Sequence, residues 1–233
     1  MKKWLLLLVG LLCFASLAWA GYGYKVQMVG SVPSGVTPVT SYALDAAGGS
    51  GTAQLYDSVA ATWKGGGADT ADFTSGYLVA DSNTDRAYVP GSEFYYTTSF
   101  TIYFEFQVSS LSDTNLNAIY YAGTGDAIYF KPYALAGNGR FYFQANYGTT
   151  VNAQFSNTGL SINTWHSVYA QVDVSGQDLH VYIDGSLAGE LIDSASIVDQ
   201  VALAGNMYAG YVASGTNIVR VRNLKTYTGL VSP

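Results

Sequence analysis

The sequence predicts an all-β protein whose strands form a sandwich or a barrel. Apolar and polar residues alternate with period two along many short segments, most clearly from Ser99 to Ser109. Glycine-rich turn sequences separate these segments, and no long segment shows helical periodicity. Many half-buried strands without helices require two packed sheets whose outer faces are polar.

The first residues form an export signal. Residues 1–3 are positively charged, residues 4–17 are apolar, and Ala18-Trp19-Ala20 is a typical cleavage pattern. We therefore expect residues 1–20 to be a signal peptide and the mature protein to be secreted or held at the cell surface. The apolar run is too short to be a stable membrane span.

The composition of the mature chain excludes several kinds of function. Two of the ten basic residues lie in the leader, so eight basic side chains face sixteen acidic ones, for a formal charge of −8. This balance argues against a nucleic-acid partner. Cys13 is the one cysteine and also lies in the leader. A disulfide scaffold, thiol catalysis and cysteine-ligated zinc are therefore excluded for the mature chain.

Residues 21–40 are predicted to be an N-terminal arm or linker before a domain over 41–233. Pro33 and Pro38 interrupt any regular strand pairing there. Val26 and Met28 stand at alternate positions of a short strand-like stretch. The alternative is therefore an arm that adds a strand to the sheet edge of another chain.

Period-two alternation places the strands of the domain. The best segments are 99–109, 141–146, 168–174 and 179–184, and turn sequences at 136–139 and 175–178 predict hairpins. Asp184-Gly185 predicts a third tight turn. Further strand candidates are 77–80, 86–89, 117–122, 127–133, 151–155, 200–204 and 217–224.

Three sequence blocks carry a family resemblance. Residues 99–106, 164–168 and 178–185 resemble, in order and spacing, strands of laminin-G-like domains in the concanavalin A-like lectin/glucanase superfamily. The resemblance extends roughly over residues 41–230 and implies an all-β jelly-roll sandwich of two antiparallel sheets. Trp165 opens one of these strands, where a large ring can plug one end of the core, so we expect it to be buried.

The resemblance does not extend to the catalytic pattern of the glucan-cleaving relatives. Those enzymes carry alternating carboxylates on one strand, which supply a nucleophile and an acid. Here Glu105 is flanked on its face by Tyr103 and Gln107, and the spacing of Glu190 and Asp193 does not place them on one strand face. We therefore expect a non-catalytic protein, with a polysaccharide-cleaving enzyme as the less favoured reading.

The resemblance also implies calcium at a rim loop, held by Asp or Asn oxygens. Asp126 in the loop 122–126 is the first candidate ligand, and Asn146 at a neighbouring strand end is the second. The loop 81–85 is also rich in oxygen donors. Asp and Asn are common turn formers in their own right, so the alternative is that no metal binds.

The polar sides of four strands each pair a tyrosine with amide or carboxylate groups. Aromatic rings and planar polar groups together suit the binding of sugars, although tyrosine ladders across strands are also purely structural in many sheets. The sequence therefore predicts a secreted, lectin-like module that binds a polysaccharide, a glycoconjugate or another cell-surface partner. The alternative is a structural subunit of a surface layer, filament or adhesin that assembles with copies of itself through its arm. The candidate ligand-binding residues are Tyr103, Gln107, Tyr142, Gln144, Tyr169 and Tyr182.

Overall fold

The protein is described by a computed structural model. The described residues are 36–44, 54–65, 72–73, 75–82, 85–90, 99–110, 116–122, 127–135, 138–147, 149–156, 160–173, 175–191, 206–212 and 217–233.

These residues form fifteen strands and, within those ranges, no helix. The strands are β1 (Thr40–Tyr42), β2 (Gln54–Asp57), β3 (Thr62–Gly65), β4 (Leu78–Ala80), β5 (Ala87–Pro90), β6 (Phe100–Val108), β7 (Leu116–Ala122), β8 (Ala127–Leu135), β9 (Asn138–Tyr147), β10 (Thr149–Ser156), β11 (His166–Asp173), β12 (Asp178–Ile183), β13 (Ser186–Leu191), β14 (Asn206–Val212) and β15 (Val219–Thr228).

The strands form two antiparallel sheets, as the sequence predicts. The larger sheet has nine strands in the order β13-β12-β11-β6-β15-β1-β2-β3, with β4 also paired to β15. The smaller sheet has six strands in the order β10-β9-β8-β7-β14-β5. The sheets pack together where β14 contacts β4 and β15. The expected sandwich of two antiparallel sheets is therefore confirmed.

The core lies between the sheets and follows the alternation of the sequence. On β6, Phe104, Phe106 and Val108 are fully buried in it. The larger sheet also contributes Val168, Val181 and Val221, whereas Ala87, Ala209 and Val212 come from the smaller sheet. The positions between these apolar residues on the larger sheet point away from the core, because successive side chains of a strand alternate between its two faces.

The three predicted turns all join antiparallel neighbours. Residues 175–178 connect β11 to β12, and β8 pairs with β9 from Leu135 and Asn138 onward, although residues 136–137 between them lie outside the described residues. Asp184 and Gly185 connect β12 to β13 with φ values of 51° and 79°. Two consecutive positive φ values are the signature of the type I′ turn that the Asp-Gly pair predicts.

Most of the predicted strands are present, and several short strands were not anticipated. Strands β1, β2, β3, β13 and β14 have no counterpart of the same extent in the sequence prediction, and the candidate 200–204 lies outside the described residues. β1 begins at Thr40, the last residue assigned to the arm, and pairs with β15 and β2 in the larger sheet. The rest of the arm before residue 36, with Val26 and Met28, is outside the described residues.

Gly210 on β14 is a point of close approach between the sheets. Its φ is +70°, and an added Cβ would lie 3.0 Å from Ala80 Cβ and 3.1 Å from Leu78 Cδ2. Gly76 has a similar φ of +73°, but nothing lies within 4 Å of its added Cβ. The two glycines therefore differ in packing and not in backbone conformation.

We expect Gly210→Ala to lower the free energy of unfolding by about 3 kcal/mol, because strain and overpacking add. Gly76→Ala, which adds only the strain, should cost about 1 kcal/mol. Urea unfolding of both variants measures the difference. Equal losses would show that the sheets do not approach closely at Gly210.

Candidate functional site

The side of the larger sheet that points away from the core is the candidate site, and we call it the polar face. Register between β12, β11, β6 and β15 aligns its residues in rows across the strands. Its centre is buried, and its margins are half-buried. The polar face comprises Thr101, Tyr103, Glu105, Gln107, Trp165, Ser167, Tyr169, Gln171, His180, Tyr182, Arg220, Arg222, Lys225 and Tyr227.

One row of the polar face is a tyrosine ladder. Tyr182, Tyr169 and Tyr103 are register partners on successive strands, and Lys225 follows on β15. The ring centroids of Tyr103 and Tyr169 are 4.7 Å apart, and the Lys225 ammonium lies 5.8 Å from the Tyr103 ring. Three of the predicted ligand-binding tyrosines are thus brought together.

Two of these tyrosines are not available to a ligand in solution. Tyr103 is 3% exposed and Tyr169 is fully buried. They form a second cluster with Tyr227 and with Val231, which follows β15, and Tyr182 packs against that cluster. The expectation that Tyr103 and Tyr169 face solvent is therefore wrong, because Val231 packs on the tyrosine ladder.

A buried carboxylate organises the neighbouring row. Glu105 is 5% exposed and accepts three hydrogen bonds. The Tyr103 hydroxyl donates to Oε1 at 2.7 Å, the Asn223 amide donates to Oε1 at 2.9 Å, and Arg222 Nε donates to Oε2 at 2.6 Å. Asn223 reaches this position through a φ of 54°, within a register shift between β15 and β6. The β15 irregularity thus delivers two of the three donors.

These contacts determine the charge states of Glu105 and Tyr103. Burial raises the pKa of Glu105, but the hydrogen bonds from Tyr103, Asn223 and Arg222 outweigh it and hold the pKa below its ordinary value. Burial, together with the negative charge of Glu105, raises the pKa of the Tyr103 hydroxyl. Glu105 is therefore an anion at neutral pH, and Tyr103 is a neutral donor.

Trp165 lies at the margin of this network and not in the core. Its ring is half-buried, with the Arg222 guanidinium 4.1 Å from the centroid and the Tyr77 ring in an edge contact at 5.2 Å. The expectation that Trp165 plugs the core is wrong. The next residue, His166, is the one that enters the core, so Trp165 points to the other face of the sheet.

Gln107 and Arg220 complete this end of the face. They are register partners on β6 and β15, and Arg220 donates to Gln107 Oε1 at 3.1 Å. Both are half-buried. Trp165, Tyr77, Arg222, Gln107 and Arg220 therefore present two aromatic rings, two guanidinium groups and an amide; we call these five residues the Trp165 cluster. Of them, the sequence argument had nominated only Gln107 as a ligand-binding residue.

His166 and Asp184, from two of the sequence blocks that carry the family resemblance, form contacts between neighbouring strands. His166 Nδ1 lies 2.7 Å from Asp184 Oδ2, and the Ser167 amide donates to Asp184 Oδ1 at 2.9 Å. The Ser161 amide donates to His166 Nε2 at 3.1 Å. An Nδ1-protonated imidazole satisfies all of these contacts. The histidine and the Asp-Gly turn therefore tie β11 to the β12–β13 hairpin.

The remaining predicted residues lie elsewhere in the molecule. Tyr142, Gln144 and Asn146 stand at alternate positions of β9, which belongs to the smaller sheet. They therefore do not share a sheet face with Tyr103, and the six ligand-binding candidates do not form one site. Asp126 lies outside the described residues.

Of the predicted oxygen-rich loop, Asp81 and Asp85 are described, and their carboxyl groups lie close together. A hydrogen bond with Asp85 raises the pKa of Asp81, and burial and the charges of Asp85 and Asp72 act in the same direction. Within the part of the chain that the structure describes, no group of three or more His, Cys, Asp or Glu side chains is arranged to hold a metal ion.

A laminin G family model, described as that of the concanavalin A-like lectin/glucanases superfamily, matches residues 81–218, which is more than half of the chain. The chain belongs to this superfamily. The family resemblance predicted from the three sequence blocks is therefore confirmed. A search by sequence found no curated protein that matches this chain.

Solved structures share the fold at low sequence identity. The binding domain of botulinum neurotoxin serotype G superposes with a TM-score of 0.57 and 16% identity over 84% of this chain and 49% of that one. The serotype D ligand-binding domain, in complex with N-acetylneuraminic acid, gives 0.58 and 13% over 84% and 48%. Domain 4 of AbnA, an extracellular arabinanase from Geobacillus stearothermophilus, in complex with arabinotriose, gives 0.60 and 14% over 84% and 95%.

These neighbours are binding domains of larger proteins, and at such identity they establish the fold of this superfamily member alone. The chain spans about half the length of the toxin domains that it matches. Among the described residues there is no helix whose length and apolar character suit a bilayer crossing.

Glu105→Gln tests whether the buried carboxylate anchors the polar face. An amide has one accepting oxygen and one donating nitrogen, so in place of Glu105 it faces at least one of its donors with an N–H. We expect a loss of about 2 kcal/mol in the free energy of unfolding at pH 7. Because the pKa of Glu105 is lower in the folded state than in the unfolded state, the advantage of the native protein is complete above the unfolded pKa and disappears as pH falls through the folded pKa.

The measurement is urea unfolding of both proteins from pH 7 to pH 2. Glu190→Gln is the control, because Glu190 is 50% exposed and lies 3.5 Å from His180 at the sheet edge. It should change stability by less than about 0.5 kcal/mol. A Glu105→Gln loss that does not diminish toward acid pH would contradict the role assigned to its charge.

Proposed function

We propose that this protein is a secreted, non-catalytic, lectin-like module that binds glycans through the Trp165 cluster of the polar face. The observation that carries the proposal is the half-buried Trp165 ring beside the Arg222 guanidinium, at the end of the face where Arg220 bonds to the Gln107 amide. The leader at residues 1–20 supports export to the cell surface or beyond.

The chemistry of the cluster suits a sugar. The C–H face of a pyranose packs on an aromatic ring, and Trp165 and Tyr77 supply two rings in edge contact. Guanidinium and amide groups form directional hydrogen bonds with hydroxyl or carboxylate oxygens. Arg222 is held by Glu105 and is therefore positioned before any ligand arrives, which lowers the entropy cost of binding.

The superfamily supports the same proposal. The arabinanase domain and the serotype D toxin domain were solved with arabinotriose and with N-acetylneuraminic acid, respectively. The contacts of Glu105 also favour binding over hydrolysis, because its three hydrogen-bond donors are Tyr103, Asn223 and Arg222 and not a second carboxyl group. Release of reducing sugars from laminarin, agar or alginate would favour the enzyme alternative.

The proposal is tested on the mature protein by a glycan array followed by calorimetry with the best ligand. We expect Trp165→Ala to weaken binding about tenfold or more. Trp63→Ala is the matched control, because Trp63 is 37% exposed and lies at the far edge of the same sheet. Binding to no glycan, or equal losses in the two variants, would contradict the proposed site.

Calcium at Asp126 and Asn146 remains a proposal that rests on the family resemblance. If calcium binds only to the folded protein, millimolar calcium raises the melting temperature. Asp126→Ala should abolish that rise, and magnesium at the same concentration should not reproduce it. A melting temperature that does not change with calcium would remove the metal from the proposal.

Self-assembly is the second candidate function, and one surface favours it. β3 is the edge strand of the larger sheet as described, and the β2–β3 hairpin exposes Tyr56, Trp63 and Val59. Tyr56 and Trp63 are register partners whose rings are in edge contact at 5.4 Å. A strand that has no further partner among the described residues and carries apolar side chains is suited to pairing with another copy of the chain.

Deletion of residues 21–35 separates the two candidates. The deletion keeps β1, whose Thr40 side chain is buried against Thr226, so the domain should fold with nearly its original melting temperature. If the arm joins subunits, light scattering will show an oligomer that becomes a monomer on deletion. A mass that does not change would count against assembly through the arm, and a truncated protein that does not fold would show that the arm is part of the domain.

A further inference from the structure

The segment after β15 crosses the tyrosine ladder of the polar face. Val231 is 7% exposed and packs with Tyr103, Tyr169 and Tyr227, and Tyr182 packs against the same group. Its neighbour Leu230 is 46% exposed, so Val231 is the apolar anchor of this segment. We call residues 229–233 the tail.

A few hydrogen bonds hold the tail in place. The Thr101 hydroxyl donates to the Gly229 carbonyl at 2.8 Å and accepts from the Val231 amide at 2.9 Å. Gln171 Nε2 donates to the Ser232 hydroxyl at 3.1 Å. Thr101 and Gln171 are both buried residues of the polar face. The Gly229 amide also donates to the Ser99 carbonyl at 2.7 Å. The tail thus occupies the centre of the face through one valine side chain and four hydrogen bonds.

The tail bonds to Thr101 and Gln171 but not to the two buried phenols that pack with Val231. The hydroxyl groups of Tyr169 and Tyr227 are buried and have no hydrogen-bond partner among the described residues. Both residues are fully buried, and burial raises the pKa of Tyr227 to about 12. A buried hydroxyl without a partner is unfavourable, and native proteins rarely keep two together unless the position serves another purpose.

We propose that the tail is an intramolecular occupant of a glycan-binding subsite, and that its displacement exposes the tyrosine ladder to a sugar. This inference rests on the proposed function and adds its regulation. A pyranose offers both an apolar C–H face for the rings and hydroxyl groups for the two phenols, whereas Val231 offers only an apolar side chain. The ladder is continuous with the Trp165 cluster through Tyr103 and Glu105, so one oligosaccharide chain spans both.

The equilibrium between the bound and displaced tail therefore determines the apparent affinity of the protein for a glycan. A ligand that binds only the open form has an apparent Kd raised by the inverse of the open fraction. Changes that release the tail without altering the tyrosines should lower that Kd. They should also expose the phenols, whether or not a sugar is present.

Val231→Asp is the variant that tests this, because a carboxylate is expelled from the apolar cluster next to Glu105. Thr101→Val is the second variant, and it removes two of the four hydrogen bonds of the tail while keeping Val231. Leu230→Asp is the matched control, since it places the same charge one residue earlier on an exposed position. Melting temperatures verify that each variant is folded.

Two readouts are measured on the full mature chain. Nitration of Tyr169 and Tyr227 by tetranitromethane, followed by mass spectrometry, reports exposure of the phenols. Calorimetry with the best oligosaccharide from the array reports affinity. We expect Val231→Asp and Thr101→Val to be nitrated faster and to bind about tenfold more tightly, and Leu230→Asp to match the native protein.

The outcomes separate this inference from the proposed function. If the native protein binds glycan but both release variants show native nitration and native Kd, the inference is overturned and the proposed function stands. Faster nitration with no gain in affinity also overturns it, because the exposed ladder then binds no sugar. If no variant binds any glycan, the proposed function fails with it.

Discussion

The ionised carboxylate of Glu105, buried on the outer side of the larger sheet, is the constraint on which the site depends. A charge in such a place is stable only when donors surround it, and Tyr103, Arg222 and Asn223 supply them. Asn223 donates from a left-handed residue in the β15 irregularity, and Arg222 extends from Glu105 to the ring of Trp165. The position of Trp165 is therefore linked to a single carboxylate in the middle of the sheet.

The sequence blocks that identify the family contribute side chains to both faces of the larger sheet, and the two faces have different roles. His166 and Asp184 bond to each other and tie β11 to the β12–β13 hairpin. The Trp165 cluster and the tyrosine ladder lie on the opposite side of the same strands. The contacts between β11 and the hairpin and the candidate site thus lie on opposite faces of one sheet, an arrangement in which a common scaffold can carry different binding sites.

Local sequence predicts the fold well because alternation and turn chemistry are local properties. Phe104 and Phe106 on β6 and the Asp184-Gly185 turn are found directly from them. Short strands such as β1 and β2 have too few residues to show a period. Alternation also assigns a face without saying what covers it, so Tyr103 and Tyr169 were placed correctly on the sheet but wrongly in solvent. Alternation also does not say which sheet a strand joins. The residues predicted on β9 therefore lie in the smaller sheet, apart from Tyr103 and Tyr169.

The orientation of Trp165 could have been predicted from the sequence. Trp165 precedes Ser167, Tyr169 and Gln171 at the same alternation, so the pattern that placed Tyr169 on the outer side places Trp165 there too. A protein prepared without residues 1–20 has two tryptophans, Trp63 and Trp165, so its NMR spectrum contains two indole N–H signals. A glycan titration followed at these signals, assigned with Trp63→Ala, tests the central claim most directly. The account predicts that the Trp165 signal shifts and saturates while the Trp63 signal stays in place; a shift of Trp63 alone, or of neither signal under saturating ligand, would contradict it.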